Sequence, residues 1–451
     1  MQYNDFLKNK QVKFIPQGID DAVINPKLFH YQKDIVTWAL KLGRSAIFAD
    51  CGLGKSFMQI EWANNICRHT GGKVLILAPL AVSHQTIHEG KKLGVDISYY
   101  GGDDDIQIIN YDKLDHVDVS LFSGVVLDES SILKNFTGKI RDKIIETFIN
   151  TPFKLACTAT PSPNDFMELG NHAEFLGVMS RSEMLAMFFV HDGGETSKWR
   201  IKGHAQDVFW RWVSSWAVMI SKPSDLGYSD EGFTLPAITY HQHIVRVDTP
   251  SDGFLFAVHA NTLQERIIER RNTCDLRSQF CADIVNKSEG QFLIWCDRND
   301  EADYLKRNIE GSIEVRGSDD PDQKSERLLG FGLGEVKRLI SKPKIAGFGM
   351  NWQSCNQMAF VGLSDSYEAF YQAIRRCWRF GQKKPVDVHI IIAETEGNVL
   401  ANIRRKDAQS KEMQSMMLDH MSVFQSDNIR ATSRQTIAYN PTVSFKKPSF
   451  I

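Results

Sequence analysis

Between Ala46 and Ser56 the chain reads Ala46-Ile47-Phe48-Ala49-Asp50-Cys51-Gly52-Leu53-Gly54-Lys55-Ser56, and no other stretch constrains the fold as much. A short apolar run suited to a buried strand passes into a loop with two glycines. Met58, Trp62, Ala63 and Ile66 then recur at helical spacing. The order strand, loop, helix matches G-x-x-x-x-G-K-[ST], except that Ala49 stands where the first Gly would be. In such a loop Gly52, Leu53 and Gly54 let backbone N–H groups close on phosphate oxygens, and the helix N-terminus adds positive potential. Lys55 reaches the outer phosphates, and the Ser56 hydroxyl is placed to hold a magnesium ion. The competing reading is a glycine turn before an ordinary helix.

The rest of the chain decides between them. Lys73 to Pro79, Asp105 to Tyr111 and Gly124 to Glu129 are apolar strand-like runs separated by helical stretches, the pattern of a parallel α/β sheet. Ligands of such sheets bind at the carboxyl ends of the strands, where Lys55, Asp128 and Glu129 would all lie. There Asp128 can bind the magnesium ion and Glu129 can orient and deprotonate an attacking water. A solvated turn is the plain alternative for two adjacent carboxylates. Upstream, Gln32 opens a helical pattern, and its amide can pair with the N6/N7 edge of adenine or simply face water. Phe153 to Pro161 is a further strand. Its hydroxyls at Thr158 and Thr160 either relay the state of the γ-phosphate or are β-branched residues at a strand end.

Residues 162–240 depart from the alternation. His191 to Gly194 is a turn signal, and Lys198-Trp199-Arg200-Ile201-Lys202 interleaves aromatic and basic residues. That pattern suits stacking on nucleic acid or protection of an exposed sheet edge. Phe209, Trp212, Val213 and Trp216 read as core, and Gly232 to Pro236 as a linker. Beyond it come a strand over His241 to Val247 and a long helix over Phe256 to Val285. The arginines of that helix (Arg266, Arg270, Arg271, Arg277) suggest a solvated face. Strands over 290–296, 336–340, 345–351 and 358–361, with a helix over 301–309, indicate a second α/β sheet. Gly330 to Gly334 lacks a phosphate-loop ending and reads as a turn. In Gln372 to Gln382, Arg376 and Arg379 are three apart, hence on one face of a helix. Arginines delivered from a second lobe can neutralise charge developing on a transferred phosphoryl group; the alternative is a basic helix in a salt-bridge network. Val386 to Ala393 closes the sheet, 398–425 is helical, and the end from Ser426 reads as loosely ordered.

Composition excludes some classes. With 451 residues the chain has room for two or three domains, and its 42% hydrophobic and 24% charged content is that of a soluble globular protein. It has no long apolar run and no basic-then-apolar start, so membrane spans and a secretory signal are not expected. Its eight cysteines form no C-x-x-C pair, which suits a reducing cytoplasm and argues against structural zinc. The net charge of −2 names no partner.

Over residues 28–410 the chain resembles the superfamily 2 helicase-type ATPases, and most closely the SWI/SNF-related double-stranded-DNA translocases. Asp50 to Ser56 is similar to D-E-x-G-L-G-K-[ST], with Cys51 in the Glu position. Asp128 to Asn135 is similar to D-E-x-H-x-x-K-N, with Ser131 in place of His. Thr158-Ala159-Thr160-Pro161, with Asn164 and Glu168-Leu169, resembles motif III, and Gly347 to Gln353 resembles motif V, which implies nucleotide contacts for Gly349 and Asn351. Gln372-Ala373, Arg376, Arg379 and Gly381-Gln382 match Q-A-x-x-R-x-x-R-x-G-Q. The family's D-x-W-N-P remains only as Asp365 to Ala369. The resemblance implies a minimal motor of two tandem RecA-like lobes, with a helical and hairpin insertion between motifs III and IV. ATP and Mg2+ would bind in the inter-lobe cleft, with Lys55, Ser56, Asp128 and Glu129 on one lobe, Arg376 and Arg379 on the other, and Thr158, Thr160 and Gln372 coupling them. The implied boundaries are an entry segment 1–27, lobe 1 over 28–238 with an accessory segment 162–238, lobe 2 over 239–410, and a C-terminal helix and tail over 411–451. Its expected partner is double-stranded DNA, held through sequence-independent phosphate contacts by a monomer. Strand separation or branch remodelling, and a nucleotide-gated DNA-binding switch with little hydrolysis, are the alternatives.

Overall fold

Continuous apolar runs such as Val74-Leu75-Ile76-Leu77 and Val125-Val126-Leu127 have no polar face to offer to water, so they are stable only as strands covered on both sides. A computed structural model describes residues 18–134, 138–162, 165–192, 195–247, 263–346, 351–364 and 366–430, and in it these runs are fully buried strands.

The first half comprises α1 (His30–Leu42), β1 (Arg44–Ala49), α2 (Lys55–Thr70), β2 (Lys73–Ala78), α3 (Leu80–Leu93), β3 (Ile97–Tyr99), β4 (Ile106–Asn110), β5 (Phe122–Asp128), α4 (Lys139–Thr147) and β6 (Phe153–Thr158). There follow α5 (Leu169–Leu176), α6 (Arg181–Phe188), β7 (Phe189–Asp192), β8 (Glu195–Ile201), α7 (Gln206–Ser214) and β9 (Ala217–Ile220). Seven strands form one parallel sheet in the order β3-β4-β2-β5-β6-β1-β9. The second half has β10 (Ile238–Val245), α8 (Leu263–Asn272), α9 (Cys274–Lys287), β11 (Phe292–Cys296), α10 (Asn299–Asn308), β12 (Ser312–Val315), α11 (Pro321–Leu333) and β13 (Arg338–Ser341). It ends with α12 (Pro343–Ala346), β14 (Gln357–Val361), α13 (Tyr367–Ile374), β15 (Val386–Ala393) and α14 (Gly397–Arg430). Its six strands form a second parallel sheet, β10-β15-β14-β11-β13-β12. The fold is α/β, with two tandem RecA-like lobes.

Several sequence expectations change. The stretch 162–240 does not leave the first sheet for good, because β9 returns to pair with β1 as the edge strand. Phe209, Val213 and Trp216 are fully buried core residues. The Lys198 to Lys202 stretch lies largely in β8, the second strand of an isolated antiparallel hairpin with β7, where the His191 and Trp199 rings lie 3.6 Å apart. The long helix of 256–285 is two helices over its described part, broken at Thr273. Two of its arginines leave the expected solvated face: Arg270 and Arg277 are buried and ion-paired, because they face acidic side chains from neighbouring loops and helices, whereas Arg271 is exposed as expected. Gly330 to Gly334 is the last turn and cap of α11, with Gly334 taking the left-handed conformation (φ 86°) that ends it. Within 345–351, Ile345 and Ala346 close the short helix α12 rather than forming a strand, and 347–350 lie outside the described residues.

Residues 18–27 run along lobe 1, with the Ile19 amide donating to the Leu40 carbonyl. The helix α14 crosses between the lobes: Val399, Leu400 and Ile403 belong to the core of the second, Met417 and Met421 to the core of the first. The tail from 431 and residues 1–17 lie outside the description. No helix among the described residues is long and apolar enough to cross a membrane.

Candidate nucleotide site between the lobes

The loop after β1 carries two glycines in left-handed conformations, Gly52 at φ 91° and Gly54 at φ 75°, which L side chains rarely adopt. Gly54 precedes α2 without any side-chain cap, so the helix N-terminus keeps its unpaired N–H groups. A Cβ at Gly54 would come 2.3 Å from Gln32 Nε2, and one at Gly52 would come 2.8 Å from the Phe380 amide of lobe 2. The loop is therefore closely packed from both lobes. Lys55 folds back, its Nζ donating to the Ala49 carbonyl at 2.7 Å. Gln32 is buried, and its amide donates to the Leu53 carbonyl at 3.0 Å while its Oε1 accepts from the Phe29 amide. Its carboxamide thus braces the loop in this structure.

At the end of β5, Asp128 is buried and accepts from Gln59 Nε2 at 2.9 Å. Gln59 lies three residues after Ser56 on α2, so the Ser56 hydroxyl shares the helix face that approaches Asp128. Burial, and then the neighbouring Glu129, push the Asp128 carboxyl up to about 6. Glu129 has φ 58°, the one positive φ outside glycine among the described residues. Such a backbone costs about 1 kcal/mol or more and turns the side chain out of the strand's path. Thr158 Oγ1 donates to Glu129 Oε2 at 3.4 Å and accepts from the Thr160 amide at 3.1 Å. The two threonines and Glu129 thus form one chain of contacts.

From lobe 2, Gln372 lies on α13, but that helix ends at Ile374, so Arg376 and Arg379 do not share a helix face as expected. They lie on the turn beyond it, where the Arg375 amide caps the helix by donating to the Tyr371 carbonyl. Arg376 is buried and donates through Nη2 to Gln372 Oε1 at 3.0 Å. Burial lowers its pKa, and Cys51, Glu129 and Asp128 of lobe 1 partly oppose that shift. Burial and Arg376 pull Arg379 down to about 10. Asn351 has a buried Oδ1 without a hydrogen-bond partner, and the next amide, Trp352, donates to the Arg376 carbonyl at 3.0 Å. Gly349, Asn135, Asn164 and Asp365 lie outside the described residues.

Sequence reasoning missed three side chains. Arg375, the first of an Arg-Arg doublet, pairs through Nη2 with Asp50 Oδ2 at 2.7 Å, and Tyr371 donates to Asp50 Oδ1 at 2.7 Å. Nothing but the doublet hinted at this. His172 of α5 is buried, within 3.1 Å of Ser130 Oγ, and burial drops its pKa to about 4. A neutral imidazole therefore supports the turn after Glu129, although Ser131 occupies the usual His position.

A nucleotide with magnesium fits this donor set. The buried Gln372 Nε2, Thr160 Oγ1 and Gln59 Oε1 have no hydrogen-bond partner in the protein, α2 is uncapped, and Asp128 is a carboxylate whose ionisation a cation would favour.

Residues 276–381, from within α9 to the turn after α13, match the helicase conserved C-terminal domain. A stretch of 102 residues is 31% identical to the bifunctional helicase and thymine dioxygenase JBP2 of Leishmania braziliensis and 30% identical to that of Leishmania tarentolae. It takes in 22% of this chain and 9% of each relative, so the chain matches about a tenth of the length of those proteins. Among solved structures, the Sulfolobus solfataricus SWI2/SNF2 ATPase core in complex with dsDNA aligns over 92% of this chain and 97% of that one, at 18% identity and a TM-score of 0.41. The structure thus has two parallel-sheet lobes, with a phosphate-loop geometry on the first and a match to the helicase conserved C-terminal domain on the second. Its motifs resemble those of the SWI/SNF-like superfamily 2 ATPases.

Proposed function

We propose that this protein is an ATP-driven motor that translocates on double-stranded DNA. The observation that carries the reading is the contact of lobe 2 with the phosphate loop, where Tyr371 and Arg375 each meet Asp50 at 2.7 Å and so bring the adjoining Arg376 to the lobe 1 site. In this reading the Gly52 to Gly54 backbone and Lys55 bind the phosphates, with Lys55 exchanging its bond to the Ala49 carbonyl for one to the ligand. Ser56 and Asp128 would hold Mg2+, which would neutralise phosphate charge. Glu129, oriented by Thr158, takes the proton of the attacking water. Arg376 and Arg379 stabilise charge on the transferred phosphoryl group, a role available only while the lobes are together. Gln372 and the Thr158–Thr160 pair transmit that state, and Gln32 and Asn351 line the nucleotide.

The boundaries 28–238 and 239–410 serve as the two working lobes, with α14 joining them. Duplex DNA is the preferred track because the Gln372-Ala373, Arg376, Arg379, Gly381-Gln382 signature resembles that of duplex translocases. Binding through phosphates makes the interaction steeply salt-dependent.

Steady-state ATP hydrolysis with no polymer, duplex DNA, single-stranded DNA and RNA in parallel tests the reading, with Glu129→Gln as blank. Selective stimulation by duplex is the expected result, and stimulation by RNA alone would sink it. Strand release from forked but not blunt duplexes would favour a separating helicase. Blank-level rates with every polymer would favour a nucleotide-gated clamp.

A further inference from the structure

Asp50 lies two residues ahead of Gly52, the first glycine of the phosphate loop, and its carboxylate is nearly buried. Its Oδ1 accepts from the Cys51 amide at 2.6 Å and from the Tyr371 hydroxyl at 2.7 Å, and its Oδ2 accepts from Arg375 Nη2 at 2.7 Å. One of those partners belongs to the loop and two belong to lobe 2. The loop's shape is thus set partly from across the cleft.

The lobe 2 side is built to deliver that charge. The Arg375 guanidinium lies 5.1 Å from the Tyr371 ring and 4.6 Å from the Trp378 ring, and Trp378 is itself tied to the Pro236 carbonyl at 2.7 Å. Aromatic faces on an arginine preorganise it without satisfying its charge. The next residue is Arg376. Any movement that withdraws Arg376 from the acids of lobe 1 also withdraws Arg375 from Asp50.

We propose that Arg375 is a positioning residue of the phosphate loop, whose neutralisation of Asp50 makes nucleotide affinity depend on contact between the lobes. The proposal rests on the nucleotide site described above and adds a control to it. With the lobes together, Asp50 is paired and the loop presents its N–H groups and Lys55 to phosphate. When they part, a bare carboxylate stands at the mouth of the loop, where it repels phosphates in a partly dry setting and releases the bound product. The same opening removes the arginines that promote hydrolysis, so release and loss of catalytic competence coincide.

The test is titration of the full-length protein with fluorescent ATP and ADP analogues, with amide hydrogen exchange recorded without nucleotide. Arg375→Ala is expected to weaken nucleotide binding about tenfold or more and to speed exchange at the Cys51 amide. Arg375→Lys should recover part of the affinity. Adding Asp50→Asn to Arg375→Ala should bring the dissociation constant back to within about threefold of wild type, because the repelling charge is gone. A bridge that only held the lobes together would give no such recovery. Equal dissociation constants for Arg375→Ala and for the double variant would overturn the proposal, as would an Asp50→Asn single variant that binds as weakly as Arg375→Ala. An Asp50→Asn single variant that binds nucleotide about tenfold or more weakly than wild type would overturn it too, and that comparison needs no arginine variant to fold. Wild-type protein that binds no nucleotide would instead overturn the nucleotide reading itself, and the proposal with it.

Discussion

In lobe 2, the fully buried guanidinium of Arg277 lies 3.0 Å from Glu301 and 3.0 Å from Glu396, and donates to Thr273 Oγ1 at 3.1 Å. In lobe 1, the buried Asp128 has an amide, Gln59, for a partner and another carboxylate, Glu129, as its neighbour in the chain. Both are buried charges, yet one set is closed and the other open. The closed set balances its charge within the lobe by ion pairs, so it organises α9, α10 and the start of α14 around one point. The open set keeps a carboxyl at a raised pKa until something positive arrives. Buried charge that is complete serves the fold, and buried charge left incomplete is available for chemistry.

Substitutions can break this contrast. The largest effect is expected for Arg376→Ala, which completes the open set from lobe 2. Its single-turnover hydrolysis should fall about 10³–10⁵-fold, or about 4–7 kcal/mol in the barrier, with nucleotide affinity changed only a few-fold. Comparable losses in rate and affinity would show that it binds rather than promotes reaction. Next comes Arg277→Ala, which should cost about 3–5 kcal/mol in urea unfolding by leaving two buried carboxylates unpaired. Replacing Arg277 by Met together with Glu301→Gln and Glu396→Gln should recover much of that loss, and a triple variant no more stable than Arg277→Ala would contradict the closed-set account.

A smaller effect is expected from pH. Folding raises the Asp128 pKa from 3.8 to about 6, so across that window the folded protein holds a proton that the unfolded chain has lost. Stability therefore falls as pH rises through the window, by at most about 1.4 kcal/mol per unit from this group. His172, held near 4 by burial, contributes the opposite slope between about 4 and 6.5. The Asp128 part is isolated by comparing wild type with Asp128→Asn, whose unfolding should lack it. Magnesium-dependent hydrolysis should also decline below about pH 6, as the protonated carboxyl loses its hold on the cation. The smallest effect is expected at the exposed Lys411–Asp407 pair of α14, 2.7 Å apart. There Lys411→Ala should alter thermal stability by no more than about 0.5 kcal/mol. A larger loss would mean that charge at the surface of this protein behaves like charge in its interior.

Much of the first lobe was legible in the sequence because its information is local. Gly52, Gly54 and Lys55 are neighbours in one loop, Asp128 and Glu129 are consecutive at a strand end, and unbroken apolar runs leave no alternative to a covered parallel sheet. Where sequence reading went astray, the deciding partner lay far along the chain. Arg270 and Arg277 look solvated until Asp297, Glu301 and Glu396 come to meet them, and the stretch 162–240 looks like a departure until β9 returns beside β1.

By itself, then, the sequence determined the α/β class, the strand–loop–helix at Gly52 to Lys55 and the identity of the chemically capable side chains. These follow from φ/ψ preference, from hydrophobic period and from the functional groups themselves, all of which act within a few residues. Only the tertiary structure decided that Asp50 meets Arg375 across 325 positions, that Glu129 reaches Thr158, and that α14 begins in one core and ends in the other. The physical reason is that electrostatic pairing and apolar burial depend on distance in space, and that distance exists only once both sheets have formed and their faces have been brought together.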